Sequence, residues 1–207
     1  MDFYVMVNGL NNEKIDYVSE QIQGIEKKAW NNNMGASIET IRHRLELFPE
    51  GLWRLYHNQV LVSYMYFIRI DDEKEYYSWF DYCAGGSCDN YIEDGKLLFG
   101  VSIGSIEKHM GNNLFSLGMD KILDGFYKGV ENVCMCSRLP SLSRLYNTTE
   151  DLSFLTMDNP RLLSDHVVKM FMKKGCNPIA LCKDGYDIDK ESLGYSMTMG
   201  RKINENI

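Results

Sequence analysis

The sequence predicts an α/β fold, and three observations carry the prediction. Apolar runs of strand length, such as Phe3 to Val7, Leu97 to Ile103 and Asn132 to Ser137, are bounded by Gly or Asn. Between them lie segments whose apolar residues recur every three or four positions, as in amphipathic helices. In order the elements read strand, two helices, three strands, helix, strand, helix, two strands, an alternation typical of a sheet with packed helices. A chain of 207 residues with 44% hydrophobic content can bury a sizeable core, so residues 1–207 are expected to form one domain. No internal repeat, linker or low-complexity run interrupts it.

Phe3 to Val7 ends at Asn8-Gly9, a strand followed by a turn. From Lys14 to Trp30, Ile15, Val18, Ile22, Ile25 and Ala29 share one helical face. Asn31 to Asn33 and Gly35 break that helix, Ser37 is placed to cap a second with Glu39 in its first turn, and Pro49 with Gly51 ends it. The stretch from Gly51 to Ile70 is rich in β-branched and aromatic residues and is divided at His57-Asn58-Gln59, which predicts two strands and a tight turn. Asp71 to Gly95 reads as a strand end and a long loop leading into the strand at Leu97, near the expected site. A helix is expected over Asn112 to Lys128, a strand over Asn132 to Ser137, and a helix from Arg161 to Lys174 opened by Asn159-Pro160 and stopped by Gly175. Strands at Pro178 to Lys183 and Leu193 to Lys202 close the chain.

Composition excludes several function classes. A net charge of −7 with pI ≈ 5.1 argues against general affinity for nucleic acid or an anionic membrane surface. No apolar run approaches the ~20 residues that a membrane-spanning helix needs. The amino terminus lacks the basic start and apolar core of a secretion signal, so the six cysteines are expected as free thiols in the cytoplasm. Their spacings, Cys83 to Cys88 and Cys134-Met135-Cys136 among them, form no paired C-x-x-C knuckles, and no metal site is expected. Cys134 and Cys136 read as small residues of a core strand.

The most informative stretch begins at Lys96. An apolar strand enters a short loop, Lys108-His109-Met110-Gly111-Asn112-Asn113, and a helix leaves it. Backbone amides of a first helical turn have no internal acceptor and carry the positive end of the helix dipole, so such a loop is suited to an anion. The same residues also read as a plain helix start with Asn112 as N-cap. The stretch resembles the pyrophosphate-binding signature of the GNAT superfamily of acyl-CoA-dependent N-acetyltransferases, (Q/R)-x-x-G-x-(G/A): Lys108 stands at the Gln or Arg position, Gly111 at the first glycine and Asn113 at the second small residue. The helix ending in Phe48-Pro49-Glu50-Gly51 and the hairpin after it resemble the front half of that family. The segments Ser137-Arg138-Leu139-Pro140, Asn159-Pro160-Arg161 and Asp189-x-x-Ser192-x-Gly194-Tyr195 resemble GNAT domains found alone or fused to carbon–nitrogen hydrolases. The resemblance covers roughly Ser37 to Met199.

This resemblance implies the GNAT fold: a mixed twisted sheet of about seven strands flanked by about four helices and splayed at strands 4 and 5. It implies transfer of an acetyl group from acetyl-CoA, as co-substrate, to a primary amine on a small molecule or peptide, by direct attack in a ternary complex. Val101, Ser102 and Ile103 would offer backbone groups to the pantetheine arm, and Lys108, His109, Met110, Gly111, Asn112, Asn113 and Leu114 would hold the pyrophosphate. A tyrosine that acts as general acid in many relatives is replaced here by Phe171, which has no proton to donate, and Cys176 stands at the family's usual Phe. Tyr186 and Tyr195 are the alternative acids, and Glu107, Asp81, Asp89 and Glu93 the candidate bases. Arg138 is placed either to meet an anionic group of a substrate or to pair with the helix after Asn159. A homodimer is compatible with this reading. A non-catalytic acyl-CoA-binding or sensor module of the same fold is the alternative, motivated by Phe171 and Asn113.

Overall fold

The computed structural model describes residues 4–30, 34–73, 75–146, 152–183, 185 and 189–203. Seven strands form one sheet in the order β1 (Tyr4–Asn8), β2 (Leu52–His57), β3 (Val60–Ile70), β4 (Leu97–Ser105), β5 (Asn132–Arg138), β7 (Ser196–Lys202), β6 (Asn177–Cys182). All neighbours are antiparallel except β4 and β5, whose parallel pairing requires a crossover. That crossover is helix α4 (Lys108–Leu123). The tight turn between β2 and β3 is made by Asn58 and Gln59, both at positive φ, a geometry that matches the twist of a hairpin.

The sheet separates two cores. On one face, α4 and α7 (His166–Met172) cover Trp53, Met65, Phe67, Leu98, Val133, Met135, Met197 and Met199. On the other, α1 (Ile15–Ala29) and α2 (Ile38–Leu47) cover Leu52, Tyr64, Tyr66, Ile68, Phe99, Val101 and Cys134. The α1 stripe is the predicted one, with Val18, Ile22 and Ile25 buried, and Ser37 caps α2 by accepting the Thr40 N–H. The part of the 71–95 loop that contains α3 (Trp79–Tyr82) packs on this second face, where Tyr82 stacks on Phe99 at 4.5 Å between ring centroids. It lies across the sheet from α4 rather than beside its mouth.

Three element boundaries depart from the sequence reading. The central helix begins at Lys108 and ends at Leu123, four residues early at its start and five at its end. Its N-cap is Glu107, whose carbonyl accepts the N–H groups of Met110 at 3.1 Å and Gly111 at 3.4 Å. At the far end the backbone turns left-handed at Gly125 (φ 83), and Phe126 N–H returns to the Lys121 carbonyl, a Schellman stop. The helix expected over 161–174 is broken into α6 (Pro160–Leu163) and α7, because the Asp165 carboxylate caps Val167 and also accepts the Ser141 backbone N–H and hydroxyl. Strand β7 starts at Ser196 rather than Leu193, since Leu193 and Gly194 lie at positive φ in a turn. Among the described residues there are seven α-helices rather than about four; α3, α5 (Leu142–Leu145) and α6 are single turns.

Candidate active site

The pairing of β4 with β5 runs only from Leu97↔Asn132 to Gly100↔Met135. Beyond that point β4 continues to Ser105 bound to β3 alone, β5 continues to Arg138 bound to β7 alone, and the strands part. A bulge marks the same place. Tyr66 pairs with Ser102 and Phe67 with Gly100, so Val101 is an extra residue matched with neither neighbour. As a result Val101 and Ser102 both turn toward α1 and α2, while Ile103 packs on the α4 face. The carbonyl of Val101 accepts the Trp79 indole N–H at 2.8 Å.

At the end of β4 the chain turns into α4. The amides of Lys108 and His109 have no carbonyl behind them in the helix, whereas those of Met110 and Gly111 already bond Glu107. Asn112, Asn113 and Leu114 lie in the second turn, where backbone amides are consumed by the helix itself. The loop expected at 108–113 is therefore helix, and of the expected residues only Lys108 and His109 have backbone amides ahead of the helix's own hydrogen-bond ladder. Gly111 has a steric role: a Cβ there would lie 2.9 Å from Ser105 Oγ, so its absence lets the first turn rest on the end of β4. Met110 and Leu114 point into the core, at 5% and 0% exposure. The Glu107 carboxylate lies at the helix mouth, 3.3 Å from His109 Nδ1, with both side chains more than half exposed.

The other expected residues fall in different places. Tyr195 is buried on the α4 face beside Met197 and Met199. Tyr186 lies outside the described residues. Phe171 is buried with its ring edge-on to Phe115 of α4 at 5.0 Å. Asp81 caps its own short helix through Ser78, Asp89 pairs with His43 at 2.6 Å, and Glu93 is exposed, so these carboxylates do not converge. Among the described residues Arg138 does not pair with the α6 start. Its Nε donates to Asp189 Oδ2 at 2.6 Å, and its Nη2 to Asp189 Oδ1 at 2.7 Å and Glu191 Oε2 at 2.9 Å. The Asp189-x-x-Ser192-x-Gly194 segment is the reason. Ser192 gives its hydroxyl to Asp189 at 2.6 Å and accepts Leu139 N–H at 2.9 Å, which fixes the turn before β7 against the end of β5. Burial pushes the Asp189 carboxyl up, but the Arg138 and Ser192 hydrogen bonds outweigh it and hold the group below its usual range.

Sequence reasoning missed the polar cluster on the α1 side of the splay. Glu26 is 3% exposed and accepts hydrogen bonds from the Tyr64 hydroxyl, Trp30 Nε1 at 2.9 Å and Ala36 N–H at 2.5 Å. Burial raises its pKa despite those donors and the nearby Arg44. The Trp30 ring lies 5.4 Å under the Arg138 guanidinium, so Trp30 links the Glu26 group, on the β4 side, to the end of β5. The signal was present in the sequence: Val18, Ile22, Glu26 and Trp30 form one row at four-residue spacing, with a carboxylate in an apolar stripe.

No family model and no curated protein sequence matches the chain. Solved structures do. The loading GNATL domain of CurA from Lyngbya majuscula superposes with a TM-score of 0.76 at 17% identity, over 99% of this chain and 100% of that one. A GphF GNAT-like decarboxylase in complex with isobutyryl-CoA gives 0.72 at 18% identity, over 97% and 99%. Ard1 from Thermoplasma volcanium gives 0.59 at 12% identity, over 98% and 99%. The seven-stranded sheet with its parallel β4–β5 pair, the bulge and splay at Val101, and these superpositions together identify the fold of this chain as that of the GNAT superfamily.

Proposed function

We propose that the protein is an acyl-CoA-dependent N-acyltransferase that moves an acetyl group from acetyl-CoA to a primary amine within a ternary complex. The observation that carries this reading is the splay itself. It opens an unpaired edge of β4 directly ahead of the α4 amino terminus, the arrangement needed to hold a pantetheine arm beside a strand and a diphosphate at a helix mouth. The donor set fits such a group: the Lys108 and His109 amides and the His109 ring stand at the helix mouth, with the helix dipole behind them. The edge of β4 from Ser102 to Ser105 would align the arm and polarise the thioester carbonyl. With Phe171 packed on Phe115, the departing thiolate takes its proton from the incoming amine, from water or from Tyr195 or Tyr186, as expected for a site lacking the usual tyrosine.

A second reading is supported by the two superpositions at TM-scores of 0.76 and 0.72, a loading domain and a decarboxylase by name. On that reading the same cleft holds an acyl-CoA bearing a carboxylate and releases carbon dioxide. One experiment separates the readings. Acetyl-CoA binding is measured by calorimetry, free CoA thiol is followed with a panel of primary amines, and malonyl-CoA is followed by mass spectrometry. Amine-dependent thiol release supports transfer. Conversion of malonyl-CoA to acetyl-CoA without amine supports decarboxylation. Binding with neither product identifies a non-catalytic module, and failure to bind acetyl-CoA together with no conversion of malonyl-CoA overturns all three.

A further inference from the structure

Outside the expected site residues, the buried acid Glu26 lies one side chain away from the strand that borders the cleft. Three groups line up from helix to strand. Glu26 on α1 accepts the Tyr64 hydroxyl, and Tyr64 on β3 lies against β4, paired with Gly104. Tyr64 shares with Ser102 a cavity of about 10 Å³ also lined by Ile22, Ile41, Arg44, Leu45, Leu52 and Tyr66, which holds about one water. Ser102 Oγ is buried beside Tyr64, the polar side chain it meets in this cavity, so a water there would have polar partners on both sides. Ser102 itself belongs to the part of β4 that has left β5 and borders the splay.

We propose that Glu26 is the proton acceptor for the attacking amine, reached through Tyr64 and a water held at Ser102. This rests on the transferase reading above and adds a named base to it. The amine arrives as an ammonium. It gives one proton to the water, the water passes a proton to the Tyr64 oxygen, and the Tyr64 hydroxyl proton moves to Glu26 Oε1, leaving a neutral carboxyl. The freed nitrogen lone pair forms the C–N bond, the C–S bond breaks with its electron pair on sulfur, and the second nitrogen proton neutralises the thiolate. Glu26 acts through other groups and is a positioning residue for the proton rather than a contact of the substrate.

The charged and titratable groups facing Glu26 are Arg44 from α2 and Tyr64 from β3, with the neutral Trp30 on its own helix. Arg44 is itself buried, donating from Nε to the Gly86 carbonyl at 2.8 Å. Burial keeps the Glu26 carboxyl above the ordinary carboxylate range, closer to the pH at which an amine is acylated.

The test compares wild type with Glu26→Gln, Glu26→Asp and Tyr64→Phe, assaying CoA thiol release with acetyl-CoA and a primary-amine panel from pH 5 to 9. Calorimetric binding of acetyl-CoA serves as the control for folding. Glu26→Gln and Tyr64→Phe are expected to lower kcat on the order of 10²-fold with unchanged KM for acetyl-CoA, and to remove the lower inflection of the pH profile. Glu26→Asp should recover part of the rate. Wild-type turnover that both variants retain with the same profile overturns the role of Glu26 and leaves the transferase reading standing. Wild-type binding without turnover overturns the transferase reading itself, and this proposal with it.

Discussion

Substituting Gly100 by Ala tests whether the β4–β5 junction is as closely packed as the structure requires. A Cβ at Gly100 would lie 2.3 Å from Met135 Cγ, 2.9 Å from its Sδ and 3.2 Å from Phe67 Cε1. Carbon atoms in contact sit about 3.5–4.0 Å apart, so Met135 must retreat by more than 1 Å, and Phe67 limits where it can go. Because the clash is with Cγ, a movement of the Met tip does not relieve it; the side chain must change χ1 in a position only 6% exposed. Overpacking of this kind costs about 1–3 kcal/mol. For a chain of this size each 1 kcal/mol lowers Tm by about 2–4 °C, giving a fall of roughly 2–12 °C by calorimetry. Met135→Ala alone should cost about 2–5 kcal/mol through its cavity. In the double variant the new methyl group occupies part of that cavity, so urea melts should show a favourable coupling of about 1–3 kcal/mol. Additivity within about 0.5 kcal/mol would refute the close-contact argument.

Other predictions follow from individual contacts. Tyr127→Phe leaves Trp53 Nε1 without the hydroxyl it meets at 2.8 Å and removes one of the two donors of the Glu50 carbonyl, the other being Asn8 Nδ2 at 2.8 Å, and should cost about 1–3 kcal/mol in urea unfolding. Asp189→Asn should destabilise the protein by a similar amount at pH 7. Because the Asp189 carboxyl lies below its unfolded value, its contribution is present above about pH 4 and is lost as pH falls through the folded pKa, so the gap between wild type and variant should close in acid. Glu26 has the opposite sign. Its raised carboxyl binds a proton more tightly folded than unfolded, so wild-type stability falls relative to Glu26→Gln as pH rises above about 4.5, readable from melts at pH 5 and 7.5. Burial pushes the Cys88 and Cys176 thiols up to about 11 and Cys136 to about 12, so these should react with a disulfide reagent at pH 8 far more slowly in the native protein than in urea.

Much of the fold was legible because it rests on periodicity. The α1 and α2 stripes, the Asn58-Gln59 hairpin and the strand at Leu97 follow from local pattern and turn chemistry alone. What was not legible came from contacts distant in sequence. The break at Asp165 depends on Ser141, which lies 24 positions away. The site divides in the same way. The strand and helix that would grip a cofactor could be read from Lys96 onward, whereas the roles of Arg138 and Glu26 required knowing that Asp189 comes to the first, that Tyr64 comes to the second, and that Trp30 bridges the two groups.

The unmatched residue at Val101 also sets the handedness of everything after it. In a pleated strand the count of residues decides which side each one occupies, and one additional residue reverses the order from there on. Gly104 consequently lies under Tyr64, where a Cβ would come within 2.7 Å of the ring, and Ser105 emerges on the opposite side to meet Gly111. A chain shortened by one at Val101 would put Gly104 beneath α4 and aim the crossover helix at the wrong side of the sheet. Evolutionary or engineered length changes should therefore be rejected between Gly100 and Ser105.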